Sequence, residues 1–146
     1  MKRLLTALLL LMLACGVAIP AHAQESEWEK LGAEAMSLYG QGLYDSAIVV
    51  AKKAQRATEQ DLGPEHPDIA ASLNNLASLY HTQGQYAQAE FLYTRSLAIC
   101  EKALGPDDPR VATSLENLAE LYKKTGRAKE AEALLNRAAK IRAIRR

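Results

Sequence analysis

Cysteine is scarce in this chain, with two among 146 residues, Cys15 and Cys100, and histidine numbers three. No C-x-x-C, no H-E-x-x-H and no glycine-rich phosphate loop occurs, so the short signatures of a redox dithiol, a zinc hydrolase and a nucleotide site are missing. The pair of glycines in G-Q-G at 40–42 lacks the strand and the third glycine that a dinucleotide turn requires. No acid–base pair, activated nucleophile or cluster of ligating side chains stands at a workable spacing. These absences point away from an enzyme, a metal centre and a bound cofactor. Nor is there a long hydrophobic run apart from Leu4–Ile19, which is too short and too weakly flanked on its far side to read as a membrane span.

That run is read as an address. Met1-Lys2-Arg3 precedes it and P-A-H-A-Q follows at 20–24, the basic, apolar and small-x-small order of a secretory signal peptide. Cleavage is expected after Ala23, leaving residues 24–146 as one modest domain. A competing reading takes L-M-L-A-C at 11–15, which resembles the lipobox of bacterial lipoproteins, with Cys15 acylated. Against it, Gly16–Ala23 makes an oddly apolar tether and Ala21-His22-Ala23 has no purpose. Both readings export the protein, to the periplasm or beyond, and only lipidation of Cys15 attaches it to a membrane. With Cys15 in the leader, Cys100 has no partner for an internal disulfide.

What the chain has instead is a period. SLNNLASLY at 72–80 returns as SLENLAELY at 114–122, and residues 64–104 laid over 106–146 agree at sixteen of 41 positions, where average composition gives roughly two or three. A fainter copy lies upstream: Leu31, Ala35, Gly42, Tyr44, Ala47 and Gly63 stand 42 residues before Leu73, Ala77, Gly84, Tyr86, Ala89 and Gly105. Three units are expected, at 28–63, 64–105 and 106–146, and a period of this size signals an array.

Within a unit the periodicity is helical. Leu73, Leu76, Ala77 and Tyr80 fall at i, i+3, i+4 and i+7, and Gly84 then suits the left-handed residue of a helix end. A second helix places Ala89, Tyr93, Ser96 and Cys100 on one side, with Leu92 and Ile99 beside them. The G-P-E-H-P run at 63–67 closes the preceding unit, and Pro67 suits the first turn of the next helix. Each unit is therefore read as a helical hairpin. Ala35, Ala77 and Ala119 on the first helix, and Ala47, Ala89 and Ala131 on the second, are the small residues that let the two axes approach. The fold class expected is all-α, a solenoid of stacked hairpins.

The pattern resembles the tetratricopeptide repeat of the 42-residue kinesin light-chain type. N-N-L-A-S-L-Y-H-T-Q-G-Q-Y-A-Q-A-E (74–90), L-G-P-E-H-P-D (62–68) and N-L-A-E-L-Y-K-K-T-G (117–126) carry the likeness. It extends from Trp28 to the C-terminus. Departures occur at both ends: Glu34 stands where later units have Leu76 and Leu118, and Ala128, Ala133 and Ala139 replace Tyr86, Phe91 and Leu97. Such losses of apolar side chains suit the outer faces of a finished three-unit array. Ile141 and Ile144 are expected to stay partly exposed.

The resemblance assigns the other side of each first helix to a concave groove that binds a protein or peptide. From the residues on that side, the expected groove set is Asn74, Asn75, Ser78, His81, Glu116, Asn117, Glu120, Lys123 and Lys124. Asn75 and Asn117 are amides one unit apart, each able to donate and accept, so they can hold an extended peptide backbone without reading its sequence. The alternative is that they hydrogen-bond neighbouring helices. Lys123 and Lys124 either take an acidic group or keep the last helix solvated, and His81, with no Cys or second His nearby in sequence, reads as a surface contact. His66, before a proline and aligned with Asp108, reads as a helix-start or turn residue.

Charge is uneven. Residues 24–68 sum to −5 and residues 121–146 to +7. The basic end suits anionic lipid, an acidic partner or nucleic acid. Export argues against nucleic acid, and the alternative is a solvated terminal helix. Weak head-to-tail self-association of the two ends is a further possibility. The reading is an exported, non-enzymatic scaffold for a protein or peptide, with a structural subunit of an envelope assembly as the alternative.

Overall fold

The computed structural model describes residues 25–144. The expected leader, its cleavage after Ala23 and the Cys15 lipidation site lie outside the described residues. Among the described residues six helices follow one another: α1 (Glu27–Gly40), α2 (Tyr44–Leu62), α3 (Pro67–Thr82), α4 (Tyr86–Leu104), α5 (Pro109–Lys124) and α6 (Ala128–Ile144). No strand occurs among the described residues, and each helix packs chiefly on the ones before and after it. The fold is an all-α solenoid of three hairpins. No helix among the described residues is long and apolar enough to cross a membrane.

The turns repeat because their chemistry repeats. Inside the middle hairpin Gly84 sits at φ +74°, its N–H donating to the His81 carbonyl at 3.0 Å, while the Gln85 N–H reaches the Tyr80 carbonyl at 2.8 Å. This six-to-one and five-to-two pair is the Schellman closure, which satisfies carbonyls that the helix end leaves free. The Gly126 and Arg127 N–H groups make the same two bonds to Lys123 and Tyr122. Between hairpins the geometry is different: Gly63 has φ 87° and ψ 161°, and Gly105 φ 86° and ψ 160°, a region that essentially only glycine enters. The next helix then starts on Pro67 or Pro109, where a missing N–H costs nothing. His66 Nδ1 accepts from the Asp68 N–H at 3.2 Å and Asp108 Oδ1 from the Arg110 N–H at 2.9 Å, so His66 is indeed a helix start.

Packing follows the small residues. Ala77, Ala119, Ala47 and Ala89 have no exposed surface, and Ala35 and Ala131 almost none. The leucines at equivalent places, Leu73 and Leu115, are fully buried, and truncating either to alanine costs about 2–5 kcal/mol. Tyr93, Ser96 and Cys100 line the same core, with the Ser96 hydroxyl donating to the Ala70 carbonyl at 2.9 Å. Burial raises the Cys100 thiol above its ordinary range, which keeps it protonated and unreactive. On the outer side, an ion pair ties each second helix to the next: Glu59 to Arg95, and Glu101 to Arg137 one period later.

At the N-terminal end, Glu27 and Glu34 are exposed on α1 at positions where the later units bury Ile69 and Val111, and Leu76 and Leu118. Charge there leaves the outward side of α1 compatible with water. The expectation for the last helix needs a correction. Ile141 is 3% exposed and belongs to the core, because α6 folds back onto α5, and only Ile144, 64% exposed, projects into solvent.

Candidate binding groove

Two clefts run side by side along the first helices. One, of about 450 Å³, lies between α1 and α3 and is walled by Gly32, Ala33 and Met36 on one side and Ala71 and Asn75 on the other. The second, of about 310 Å³, lies between α3 and α5 and is lined by Asn74, Asn75, Ser78, Thr113 and Asn117. Asn75 belongs to both, so the clefts share a wall and make one continuous groove. The 3.6-residue period puts these side chains together. Ala71, Asn75 and Ser78 stand at i, i+4 and i+7 of α3, and Thr113 and Asn117 repeat the first two places one unit later.

The groove residues differ in how far they are already engaged. Neither Asn75 nor Asn117 hydrogen-bonds any described residue through its side-chain amide, so the alternative in which they tie helices together finds no contact to support it. Asn74 is different. Its Nδ2 donates to Ser114 Oγ at a long 3.5 Å, and its Oδ1 is buried without a hydrogen-bond partner among the described residues. Ser78 shares a 2.9 Å hydrogen bond with the Tyr93 hydroxyl. His81 lies edge-on to Tyr86 and Tyr93, with ring centroids 5.6 and 6.5 Å away. Its pKa is lowered, first by burial and then by the nearby Lys124 charge, with Glu120 opposing. His81 is thus a partly buried ring packed on tyrosines, in surroundings that disfavour its charged form.

Neither His81 nor the remaining members of the expected set line the clefts. Glu116 is held by α6: Arg142 donates from Nε and from a terminal nitrogen to its two carboxylate oxygens, each at 2.7 Å. Those bonds hold the Glu116 pKa below the ordinary carboxylate range and raise that of Arg142. Glu120 and Lys123 pair with each other at 2.7 Å on the surface of α5, and Lys124 is exposed beside them. Two charged residues missing from the expected set do line the cleft, Asp68 and Arg110. They occupy the same place one period apart, directly after Pro67 and Pro109. That shared register was readable in the sequence, but the first turn of a helix projects toward the cleft mouth in a way the helical period alone does not reveal. Among the described residues no group of three or more His, Cys, Asp or Glu side chains is placed to hold a metal ion.

An array of helical hairpins, closed by glycine turns and grooved along its first helices, defines a repeat scaffold of the kind that binds other proteins. The chain belongs to the tetratricopeptide repeat family, whose profile matches residues 30–102 and 92–143. Two solved structures resemble it closely. BtubC (BKLC) from P. vanneervenii superposes with a TM-score of 0.73 at 28% identity, over 78% of this chain and 46% of that one. A kinesin light chain of nearly identical TPR-like repeats from Podosopora anserina gives a TM-score of 0.71 at 28% identity, over 78% of this chain and 54% of that one. The chain therefore spans about half the length of these structures. No curated protein sequence matches it. Proteins of this family are generally non-enzymatic scaffolds for protein–protein interaction.

Proposed function

We propose that this protein is an exported scaffold that holds a protein or peptide in the concave groove along α1, α3 and α5. One observation carries the reading: Asn75 and Asn117 recur one unit apart, face the same groove, and leave both amide groups unused. An extended backbone offers alternating N–H and C=O groups, and a ladder of free amides pairs with them regardless of side-chain sequence. Export to the periplasm or beyond rests on the basic, apolar and A-H-A order of residues 1–23.

Charge supports a second reading, in which the protein is a structural subunit that associates through its ends. Glu27 and Glu34 stand exposed on α1, while residues 121–146 sum to +7. Site-specific photo-crosslinking separates the two. A photoreactive residue replacing Ala71 in the groove should capture a partner from an envelope extract, whereas one replacing exposed Lys140 on α6 should not. Crosslinking from α6 alone, or equally from both sites, would refute the groove and favour the charged ends.

A further inference from the structure

Away from the groove, α2, α3 and α4 enclose an open trough of about 580 Å³. Leu76, Tyr80 and Leu92 form its floor, and Phe91, 68% exposed, stands at its rim. Lys52 and Arg56 project from α2 along one wall, with the Lys52 ammonium 5.7 Å from the Tyr80 ring centroid. Neither cation has a carboxylate partner among the described residues, whereas Arg95, Lys102, Arg127, Arg137 and Arg142 are all paired. No acidic residue lines the trough. The Glu59–Arg95 pair bridges α2 to α4 just beyond Arg56.

The next junction shows how the array fills the same space when it is not needed. There Leu97 stands where the trough has Gln55, and it packs against the core. The Tyr122 ring is covered by the Arg127 guanidinium, 3.7 Å from the centroid, which Glu90 and Glu130 hold in place. At the first junction those two acids are replaced by Ile48 and Gln88, and Arg127 by Gln85, whose amide turns instead to Gln83. Cover and countercharge have both been removed at one junction of a repeating structure.

We propose that this trough binds an amphiphilic anion, an aliphatic or aromatic body lying on Leu76, Tyr80 and Leu92 with one anionic head between Lys52 and Arg56. A peptide would bring a row of backbone N–H and C=O groups that need partners, whereas beside the two cations and the Tyr80 hydroxyl the trough walls offer only the Gln55 and Gln88 amides, and Gln55 Nε2 already donates to Glu59 at 3.1 Å. An acyl chain needs none. The volume is in the range of small-ligand sites.

The test uses sodium dodecanoate below its micellar concentration, followed by backbone amide shifts in NMR and by calorimetry. The expected result is saturable binding with shifts confined to α2, α3 and α4. Reversing both charges, Lys52→Glu with Arg56→Glu, should weaken it about tenfold or more, the loss expected when charge-assisted contacts are removed. Gln55→Leu, which copies the filled junction, should do likewise while leaving helicity and melting intact. Decyl glucoside, a neutral amphiphile, should bind more weakly than dodecanoate. Binding to phosphatidylglycerol vesicles in place of free dodecanoate, lost in the same variants, would identify the anion as a lipid. Binding to neither probe, equal binding by all variants, or shifts centred on Asn75 and Asn117 would overturn the proposal.

Discussion

The sharpest consequence of the packing is a contrast between two alanines six residues apart on α3. Ala77 has no exposed surface and belongs to the core that α3 shares with α4, as does the equally buried Ala89. Ala71 lies exposed on the groove wall. Adding three carbons at Ala77 must push the two helix axes apart or force a strained rotamer, at a cost of about 1–3 kcal/mol. Ala71→Leu adds the same atoms into open space and should stay within about 0.5 kcal/mol. For a domain of this size each kcal/mol moves the melting temperature by roughly 3–6 °C, so Ala77→Leu should melt some 3–18 °C lower and Ala71→Leu nearly unchanged. Urea unfolding followed by far-UV circular dichroism gives the free energies directly. Equal losses in the two variants would mean that the packing and groove faces are wrongly assigned.

Two further outcomes follow from local geometry. Gly63→Ala should cost about 1–3 kcal/mol, because its φ of 87° with ψ 161° excludes a side chain, while Gly32→Ala, in open space within α1, should gain about 0.5–1 kcal/mol; both are read from urea midpoints. The Glu116 pKa is depressed in the folded state by its bonds to Arg142, so its contribution is present above the unfolded carboxylate value near ~4.3 and is lost as pH falls through the lower folded value. Glu116→Gln should therefore lower stability slightly at neutral pH, where the contribution is present, flatten the acid limb, and converge with the parent protein once pH has fallen through the folded value.

The fold was legible because each local signal agrees with the others. The Leu73, Leu76, Ala77 and Tyr80 stripe, the turn glycines and the prolines after Gly63 and Gly105 all repeat with one spacing, and the helices start and stop where these residues say. The groove was half legible. Helical phase brings Asn74, Asn75, Ser78 and Asn117 to one cleft, but it cannot say which polar side chains are already taken. Glu116 is engaged by Arg142 across the α5–α6 hairpin, and Ser78 by Tyr93 across α3–α4; these are contacts between helices that no single-helix period contains. The exposure expected of Ile141 failed for a related reason, since burial there depends on how α6 lies on α5. The trough was hidden because it appears only when Gln55 and Gln88 are compared with Leu97 and Glu130 in three dimensions.

The central claim is that Asn75 and Asn117 recur for binding and not for packing. Changing both to Ala, then measuring melting and the affinity for a partner captured through the groove, tests it most directly. With neither amide bonded to any described residue, helicity and melting should hold. Loss of two neutral hydrogen bonds at about 0.5–1.5 kcal/mol each should weaken binding by roughly one to two orders of magnitude. A double variant that unfolds would make the amides structural, and one that stays folded and binds as tightly would show that the groove is not where the partner sits.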